Sequence, residues 1–362
     1  MFSAVSHKKL ASAEGYFVEH LAQNDYYAAG EIRPGQWLGV GAERLGFNAG
    51  QHVTREQFYA LCENRHPHTG ERQTLRQNAK DERRVFFDFT CSPPKSVSVL
   101  AVVMDDQRLV EAHEDSVRIA FRELETFAAT RVRRAGNQRD RTTGNLIAAA
   151  FIHTSSRSLD PQLHTHFTVF NATFDDQERC WKALQAGAMY DAIRYATAVY
   201  RNELARRVRA IGYRTSPAKH GFDIEGVGDA VLTKYSKRAQ EVKQIVGEME
   251  QRLGRKLSNN EVSYAVHQSR TKKLKGISTA EVRQRQLAQL SGEELQSLRA
   301  LMASAPSSPE TPALENEQAA LTHAMAHVFE RRSVVPEHEL LATALAHRQG
   351  ELDLASLTAW WR

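Results

Sequence analysis

The 362-residue sequence contains only three cysteines, which are widely spaced (Cys62, Cys91 and Cys180) and form no CxxC pair. This pattern argues against a disulfide framework and against a cysteine zinc site, so we expect a reducing, cytoplasmic environment. No run of eighteen apolar residues occurs, and no apolar stretch follows the basic start of the chain, so neither a membrane span nor a secretion signal is expected. A GxxxxGK[ST] phosphate loop and a Rossmann glycine fingerprint are both missing, which excludes an NTP-driven motor.

Hydrophobic residues make up 41% of the chain and aromatic residues 8%, which is enough apolar surface for a packed core in two or three structural units. The net charge of +5 is unevenly distributed. Residues 201–285 hold 19 basic and 9 acidic side chains, whereas residues 1–200 hold 24 of each and residues 286–362 hold 5 basic and 10 acidic. A strongly positive middle segment is typical of a nucleic-acid clamp, although a solvated helical face would have the same composition.

Apolar patterns place strands and helices along the chain. Strands are predicted at residues 85–90, from about residue 97, at 144–153, at 163–173 and around 180–184, with a helix over 105–130 on one face of the sheet. Helical patterns follow over 187–211 and 232–302. The Pro- and Ser-rich stretch 304–313 is expected to be a linker, and two further helices are expected over 315–331 and 337–347.

Three histidines form the first candidate site. His164 and His166 are two residues apart on a predicted strand, so strand alternation directs both imidazoles to one face. His153 ends the preceding strand, and the polar connection between the strands allows an antiparallel pairing that brings it beside the other two. Three neutral nitrogen donors would leave coordination positions open, as in catalytic metal sites. Ordinary sheet histidines are the alternative.

Asp88 lies inside the apolar run VFFDFT, where a desolvated carboxylate needs a partner. A metal-bound imidazole would supply one, because its second N–H commonly binds a carboxylate. The alternative is an aspartate at a strand end that faces water. Tyr16, Tyr26 and Tyr27 cluster near the N-terminus, where they are either packing aromatics or phenol nucleophiles that need a metal or a base for deprotonation.

Five segments together carry a resemblance to a known family. These are the N-terminal tyrosine pairs, FDFTCSPPKSVSVL, TTGNL at 142–146, DPQLHTHFTVFNAT and IRYATAVYRNELARRVRAIGY. In order and spacing they resemble the relaxase domain of MobF-class conjugative relaxases, the TrwC/TraI type of the HUH endonuclease superfamily. The resemblance runs from about residue 1 to about residue 302. The part after the linker more weakly resembles the entry into the helicase region of those proteins.

The resemblance implies an α+β fold with an antiparallel-sheet palm flanked by helices and a helical fingers region. It places a palm with the catalytic site at 1–230, basic fingers at 231–303, a linker at 304–314 and an incomplete helicase-like start at 315–362. It also implies a metal-dependent, site-specific nickase of single-stranded DNA at a transfer origin. Tyr16 would form a 5′-phosphotyrosine, and Asp88 would orient a histidine or assist tyrosine deprotonation.

The same resemblance implies a divalent metal, Mg²⁺, Mn²⁺ or another first-row ion, held by His153, His164 and His166. Single-stranded origin DNA with an adjacent hairpin is the expected substrate, with relaxosome accessory proteins and a coupling protein as partners and no membrane. The expected location is the bacterial cytoplasm, with transfer into recipient cells. The basic side chains expected at DNA phosphates are Arg76, Lys95, Arg157, Arg194, Lys234, Lys237, Arg238, Lys272, Lys273 and Lys275.

Two positions depart from the family pattern. The first aromatic pair is Tyr16-Phe17 where the family usually has two tyrosines. Thr165 stands between the paired histidines in place of a hydrophobic residue, although threonine is common at that position in this class. The first departure leaves Tyr26 or Tyr27 as the candidate for a second strand transfer. Three other functions remain open: a replication initiator that nicks by the same chemistry, a non-catalytic origin-binding repressor, and a three-histidine zinc hydrolase of small molecules.

Overall fold

The computed structural model describes residues 1–8, 10, 15, 34–48, 50–74, 84–134, 136–218, 221–268, 277–305 and 317–361. In chain order the strands are β1 (Phe2–His7), β2 (Gln36–Leu38), β3 (Phe86–Cys91), β4 (Ala129–Arg134), β5 (Asn137–Thr142), β6 (Ala148–Ser155), β7 (Pro161–Phe170), β8 (Thr173–Asp175), β9 (Cys180–Lys182), β10 (Leu184–Gln185), β11 (Thr215–Ala218) and β12 (Gly221–Ile224). The helices are α1 (Val40–Arg44), α2 (Arg55–Cys62), α3 (Lys95–Ser98), α4 (Gln107–Glu125), α5 (Gly187–Asp191), α6 (Ile193–Ile211), α7 (Asp229–Lys234), α8 (Lys237–Leu253), α9 (Asn259–Gln268), α10 (Thr279–Leu287), α11 (Gly292–Ser304), α12 (Glu317–Phe329), α13 (Glu337–His347) and α14 (Leu354–Trp361).

A five-stranded antiparallel sheet in the order β1-β3-β7-β6-β2 forms the centre of the fold. Strand alternation gives the sheet two different faces. On one face Phe89 and Phe167 belong to the main core, which includes buried residues of α4 and α6. The other face carries an aromatic cluster around Phe58, Phe86 and Phe170. The sheet is therefore covered on both sides, and the expected α+β fold with an antiparallel sheet is confirmed.

The β6–β7 hairpin is the pairing that the histidine pattern predicted. His153 lies directly opposite His164 in the antiparallel register, and a bulge follows between His153 and Ser155. The connection turns through Leu159, which has a left-handed φ of 60°. Predicted strands at 144–153 and 163–173 are thus present with shifted ends. The predicted helix over 105–130 is present as α4, whose first turn is capped by the Asp106 carboxylate accepting from Arg108 N–H.

The strand predicted from about residue 97 is wrong. This segment forms α3, which follows Pro94 and continues as a π-helical turn over Val99–Val103. Val97, Val99 and Leu100 are all fully buried, and so are Ser96 and Ser98, so these residues form no exposed face and their pattern fits a buried helix as well as a strand. In this helix the Ser96 hydroxyl donates to Asp223 over 2.6 Å and accepts from the Ile224 N–H, which ties the segment to β12.

The helical pattern predicted over 232–302 is present as α8 to α11 in the described residues of that range, and this part of the basic segment contacts the β6–β7 connection. Gln286 donates from Nε2 to the Leu159 carbonyl over 2.8 Å, and the Tyr235 hydroxyl donates to the Gln286 carbonyl over 2.6 Å. Val282 of α10 packs against Leu159 and Ile277. Helix α10, and through it the segment between α7 and α8, is thereby joined to the loop of the hairpin that carries the histidines.

Helices α12 and α13 correspond to the two helices predicted after the linker, and α14 was not predicted. These helices pack against the core through α6. The fully buried Asn202 of α6 donates to the Leu352 carbonyl over 2.8 Å and accepts from the Gly350 N–H over 2.9 Å. Leu345, Leu352 and Leu357 are buried in the same core as α6. The C-terminal helices therefore extend the core of the sheet domain.

Candidate metal centre

Three imidazoles converge on the face of the sheet that α4 and α6 do not cover. The ring centroids of His153, His164 and His166 are 5.1–5.2 Å apart. One nitrogen of each ring lies within 4.8 Å of the others, and the three residues are the one such group among the described residues. The spacing predicted from the sequence is confirmed: β7 contributes two rings from one face, and the antiparallel register brings the third from β6.

Hydrogen bonds fix which nitrogen of two rings faces the centre. His164 Nδ1 lies 2.8 Å from the Gln162 carbonyl, and His166 Nδ1 lies 3.0 Å from both carboxylate oxygens of Asp88. A carbonyl and a carboxylate can only accept hydrogen bonds, so both Nδ1 atoms are assigned the proton. Nε2 of each ring then carries the lone pair that a metal would bind, which is the arrangement found around catalytic histidine ligands.

Asp88 lies on β3 and is 5% exposed, so its carboxylate is held away from water by its neighbours. Thr90 of the same strand face adds a hydroxyl 3.1 Å from His166 Nδ1. His7 on β1 lies near enough to interact electrostatically with Asp88 and His166, and burial is the main cause of its lowered pKa. Asp88 therefore has the partner that its place in an apolar run requires, which is His166 Nδ1.

The residues present fit a divalent cation. Three imidazoles with two fixed tautomers provide neutral donors that favour first-row transition metals over Ca²⁺. The described residues supply no fourth protein ligand within the group, which leaves room for an oxygen of a substrate. Such a centre can polarise a phosphoryl oxygen and hold it in place.

Seven of the predicted site residues lie outside the described residues. They are the three tyrosines and four of the basic residues: Tyr16, Tyr26, Tyr27, Arg76, Lys272, Lys273 and Lys275. Their roles stay predictions from the sequence.

Four of the remaining basic residues bind partners within the chain. Lys95 Nζ donates to the Pro161 carbonyl over 2.9 Å, and burial lowers its pKa against the opposing effect of Asp160. Lys237 binds the buried Asp160 through its backbone N–H at 3.0 Å and through Nζ at 3.3 Å. These two lysines bind adjacent residues at the end of the β6–β7 connection where β7 begins.

Lys234 pairs with Glu294 at 2.5 Å, which joins α7 to α11. Arg238 donates to the Val266 carbonyl over 2.6 Å and pairs with Glu241 at 3.2 Å. Arg194 is exposed and Arg157 is half-buried. Binding of these six residues to DNA stays a prediction, and for Lys95, Lys234, Lys237 and Arg238 it would compete with the interactions above.

Sequence reasoning missed His113, which binds the strand of the paired histidines from the opposite face of the sheet. It is fully buried on α4, and its Nε2 lies 2.9 Å from Thr165 Oγ1. A histidine within the apolar stripe of a predicted helix was the available signal, since a buried polar side chain needs a partner.

The fold and the site define an α+β protein of the paired-histidine class, in which two histidines of one strand and a third from its neighbour can share a metal. The sequence pattern of the TrwC relaxase family matches residues 10–292, and the chain belongs to that family. The predicted resemblance is confirmed.

Relatives and solved structures agree with this assignment. The chain is 36% identical over 259 residues to the multifunctional conjugation protein TraI of Escherichia coli, and 34% identical over 259 residues to that of strain K12. Each match covers 68% of this chain but only 14% of TraI, so the chain corresponds to a small part of those proteins.

Among solved structures, the conjugative relaxase TrwC in a metal-bound complex with oriT DNA superposes with a TM-score of 0.69 at 29% identity. This superposition covers 83% of the present chain and 98% of that chain. TrwC with a 27-mer DNA that comprises the recognition hairpin and the cleavage site has a TM-score of 0.68, at 28% identity over 83% of this chain and 99% of that one. Within the described residues, no helix is both long and apolar enough to cross a membrane.

Proposed function

We propose that this protein is a conjugative relaxase: a metal-dependent transesterase that cuts one strand of a transfer origin at its nic site and rejoins strands. The observation that carries the proposal is the convergence of His153, His164 and His166, with Asp88 behind His166, in a member of the TrwC relaxase family. A three-histidine site in a chain with a strongly basic helical segment fits phosphodiester chemistry of a nucleic acid better than hydrolysis of a small molecule, which would make no use of the basic helices.

In the proposed reaction, the phenol oxygen of Tyr16 forms a bond to the scissile phosphorus while the bond to the 3′ oxygen breaks. The phenol proton leaves to a base, and the departing 3′ oxygen takes up a proton to become a hydroxyl. A bound divalent cation would supply polarisation of the non-bridging phosphate oxygens. His153, His164 and His166 would hold that cation, and Asp88 would keep His166 in the required tautomer.

The phosphodiester energy is retained in the phosphotyrosine, so attack by a 3′ hydroxyl reverses the reaction and rejoins a strand without ATP. This matches a chain that has no NTP-binding loop. A second transfer needs a second phenol or reuse of the first, and we assign it to Tyr26 or Tyr27 because Phe17 removes the adjacent candidate.

We further propose origin DNA with a hairpin as the substrate. TrwC, the relative of known structure, was solved with DNA comprising its recognition hairpin and cleavage site. The excess of basic side chains over residues 201–285 supports a path for a single strand, whose phosphates need cationic partners. Accessory relaxosome proteins, a coupling protein, a cytoplasmic location and passage into recipient cells follow from the family resemblance and stay predictions.

The test is incubation with labelled single-stranded oligonucleotides that tile the transfer origin of the chain's own genetic element, followed by a denaturing gel. We expect a metal-dependent band that migrates as a protein–DNA adduct, with no adduct from the His164→Ala variant. The matched control, His323→Ala, changes an exposed histidine on α12 and should leave the adduct intact. Binding without any adduct would favour the repressor, and adduct formation at a replication origin alone would favour the initiator.

A further inference from the structure

A chain of three buried polar side chains crosses the core on the side of the sheet opposite the metal centre. The Tyr200 hydroxyl of α6 lies 2.7 Å from His113 Nδ1 on α4, and His113 Nε2 lies 2.9 Å from Thr165 Oγ1 on β7. Tyr200 and His113 are fully buried, and Thr165 is 2% exposed. These two hydrogen bonds therefore join α4 and α6 to one point of the central strand β7.

That point is the residue between the two paired histidines. Thr165 projects to the helix side of β7, whereas His164 and His166 on either side project to the metal face. Anchoring the Thr165 side chain limits rotation and sliding of the strand where the two ligands are attached. No other residue of the chain is adjacent to both of these histidines in sequence.

The chemistry of the three groups makes the arrangement specific. Burial lowers the pKa of His113 to about 3, so the ring is neutral and has one donor and one acceptor nitrogen. It can then join two hydroxyls in only two ways, with the hydrogen bonds running in one direction or the other. Polar groups buried in this manner cost free energy unless every partner is present, so a hydrophobic residue at position 165 would leave the His113 Nε2 atom unsatisfied.

We propose that Tyr200, His113 and Thr165 form a positioning relay that fixes the geometry of His164 and His166 and so sets the metal affinity of the centre. The proposal rests on the metal centre of the proposed function and adds residues outside it. The three residues are positioning residues, since the ligands alone contact the metal. Through Thr165, these hydrogen bonds connect α4 and α6 to the strand at the position between the two histidines.

Two substitutions of His113 separate positioning from simple core packing. In His113→Gln the amide can reach the position of Nε2 and keep the bond to Thr165, whereas in His113→Asn it can replace only Nδ1 and keep the bond to Tyr200. Each variant removes one hydrogen bond of the relay. We expect His113→Gln to bind Co²⁺ within about threefold of the wild-type affinity and His113→Asn to bind it at least about tenfold more weakly, as for other residues that support metal ligands.

Thr165→Val should likewise weaken Co²⁺ binding about tenfold or more, and Thr165→Ser, which restores the hydroxyl, should recover it. The matched control is Thr168→Val on the same strand, since Thr168 is fully buried and its hydroxyl has no hydrogen-bond partner in the described part of the chain. Affinity is measured by calorimetric titration of the full chain with Co²⁺ alone, and ligand geometry by the visible spectrum of the bound ion.

If Thr165→Val does not fold, the Gln and Asn variants of His113 and the Thr165→Ser variant decide the question. Equal Co²⁺ affinities and spectra for His113→Gln and His113→Asn would overturn the relay and leave the three residues as core packing. So would wild-type affinity in a folded Thr165→Val protein. Failure of the wild-type protein to bind Co²⁺ would reject the metal centre itself, which is a different result from uniform binding by all variants.

Discussion

His153 and His164 lie directly opposite each other across β6 and β7, with ring centroids 5.2 Å apart. This pairing decides whether a metal centre exists, because a register slip of one residue would turn one of the rings to the helix side of the sheet. The connection is held from outside the hairpin by Lys95, Lys237 and Gln286, which bind Pro161, Asp160 and Leu159 in turn. The helices of the basic segment thus support the register that the centre needs.

Replacing Asp88 by Asn should weaken divalent-metal binding by about ten- to a hundredfold, because the neutral amide stabilises the His166 N–H less than the carboxylate does. Calorimetric titration with Co²⁺ measures the change. Asp191→Asn, which alters an exposed carboxylate on α5, is the matched control and should bind Co²⁺ as the wild type does. Unchanged affinity in Asp88→Asn would remove Asp88 from the support of the centre.

Changing Lys272, Lys273 and Lys275 to Gln should weaken single-stranded DNA binding and flatten its salt dependence. The log–log slope should fall by about 0.7 for each DNA phosphate that no longer has a cationic partner. Fluorescence anisotropy over a series of salt concentrations measures the slope, and Arg331→Gln at an exposed site after α12 serves as the control. If the triple variant keeps the wild-type slope, these lysines form a solvated face and another part of the basic segment binds the DNA.

Asn202→Ala should lower the free energy of unfolding by about 1–3 kcal/mol, because the Leu352 carbonyl and Gly350 N–H lose their buried partner. Urea unfolding of the full chain measures the change, with Asn48→Ala at an exposed position as the control. We expect one cooperative transition in which the C-terminal helices unfold with α6. An early transition confined to those helices in the wild type would instead mark 315–362 as an independent region.

The Tyr26→Phe, Tyr27→Phe double variant should form the first adduct normally but fail to cleave a second origin strand while Tyr16 is occupied. The reason is that a second phosphotyrosine needs a second phenol. The measurement loads the protein with one origin oligonucleotide and then follows cleavage of a second one with a different label. Second-strand cleavage at the wild-type rate would show that one tyrosine suffices.

The sequence was most informative where a short pattern has one structural solution. Alternation placed His164 and His166 on one face, and the length of the turn brought His153 opposite, so the grouping of the three histidines could be predicted before the fold was known. Asp88 could be predicted to need a partner, because an apolar run does not tolerate an unpaired carboxylate. Local geometry and elementary electrostatics suffice for these predictions, since tertiary packing does not override them here.

Other features depended on contacts that are distant in sequence. The run that starts at Val97 is buried on almost every side, so it has no periodicity that distinguishes helix from strand, and its packing includes bonds from Ser96 to Asp223 and Ile224, more than a hundred residues away. Beyond Thr130, the β4–β5 ribbon has Val132 as its one buried side chain among those described, so it gave little hydrophobic periodicity. His113 was hidden for a similar reason, since nothing in the local sequence shows that a helix stripe lies under the strand of the paired histidines.

The most direct test of the account is to locate the covalent bond to DNA. The protein is incubated with Mg²⁺ or Mn²⁺ and an origin oligonucleotide that carries the hairpin, and the adduct is digested and sequenced by mass spectrometry. We predict a 5′-phosphonucleotide on Tyr16, with no adduct from Tyr16→Phe although that variant binds the same DNA within about twofold of wild type, because only the nucleophilic oxygen is removed. Tyr264→Phe, which alters a tyrosine that is 66% exposed, should react normally. An adduct on any other residue, or an undiminished adduct in Tyr16→Phe, would contradict the account.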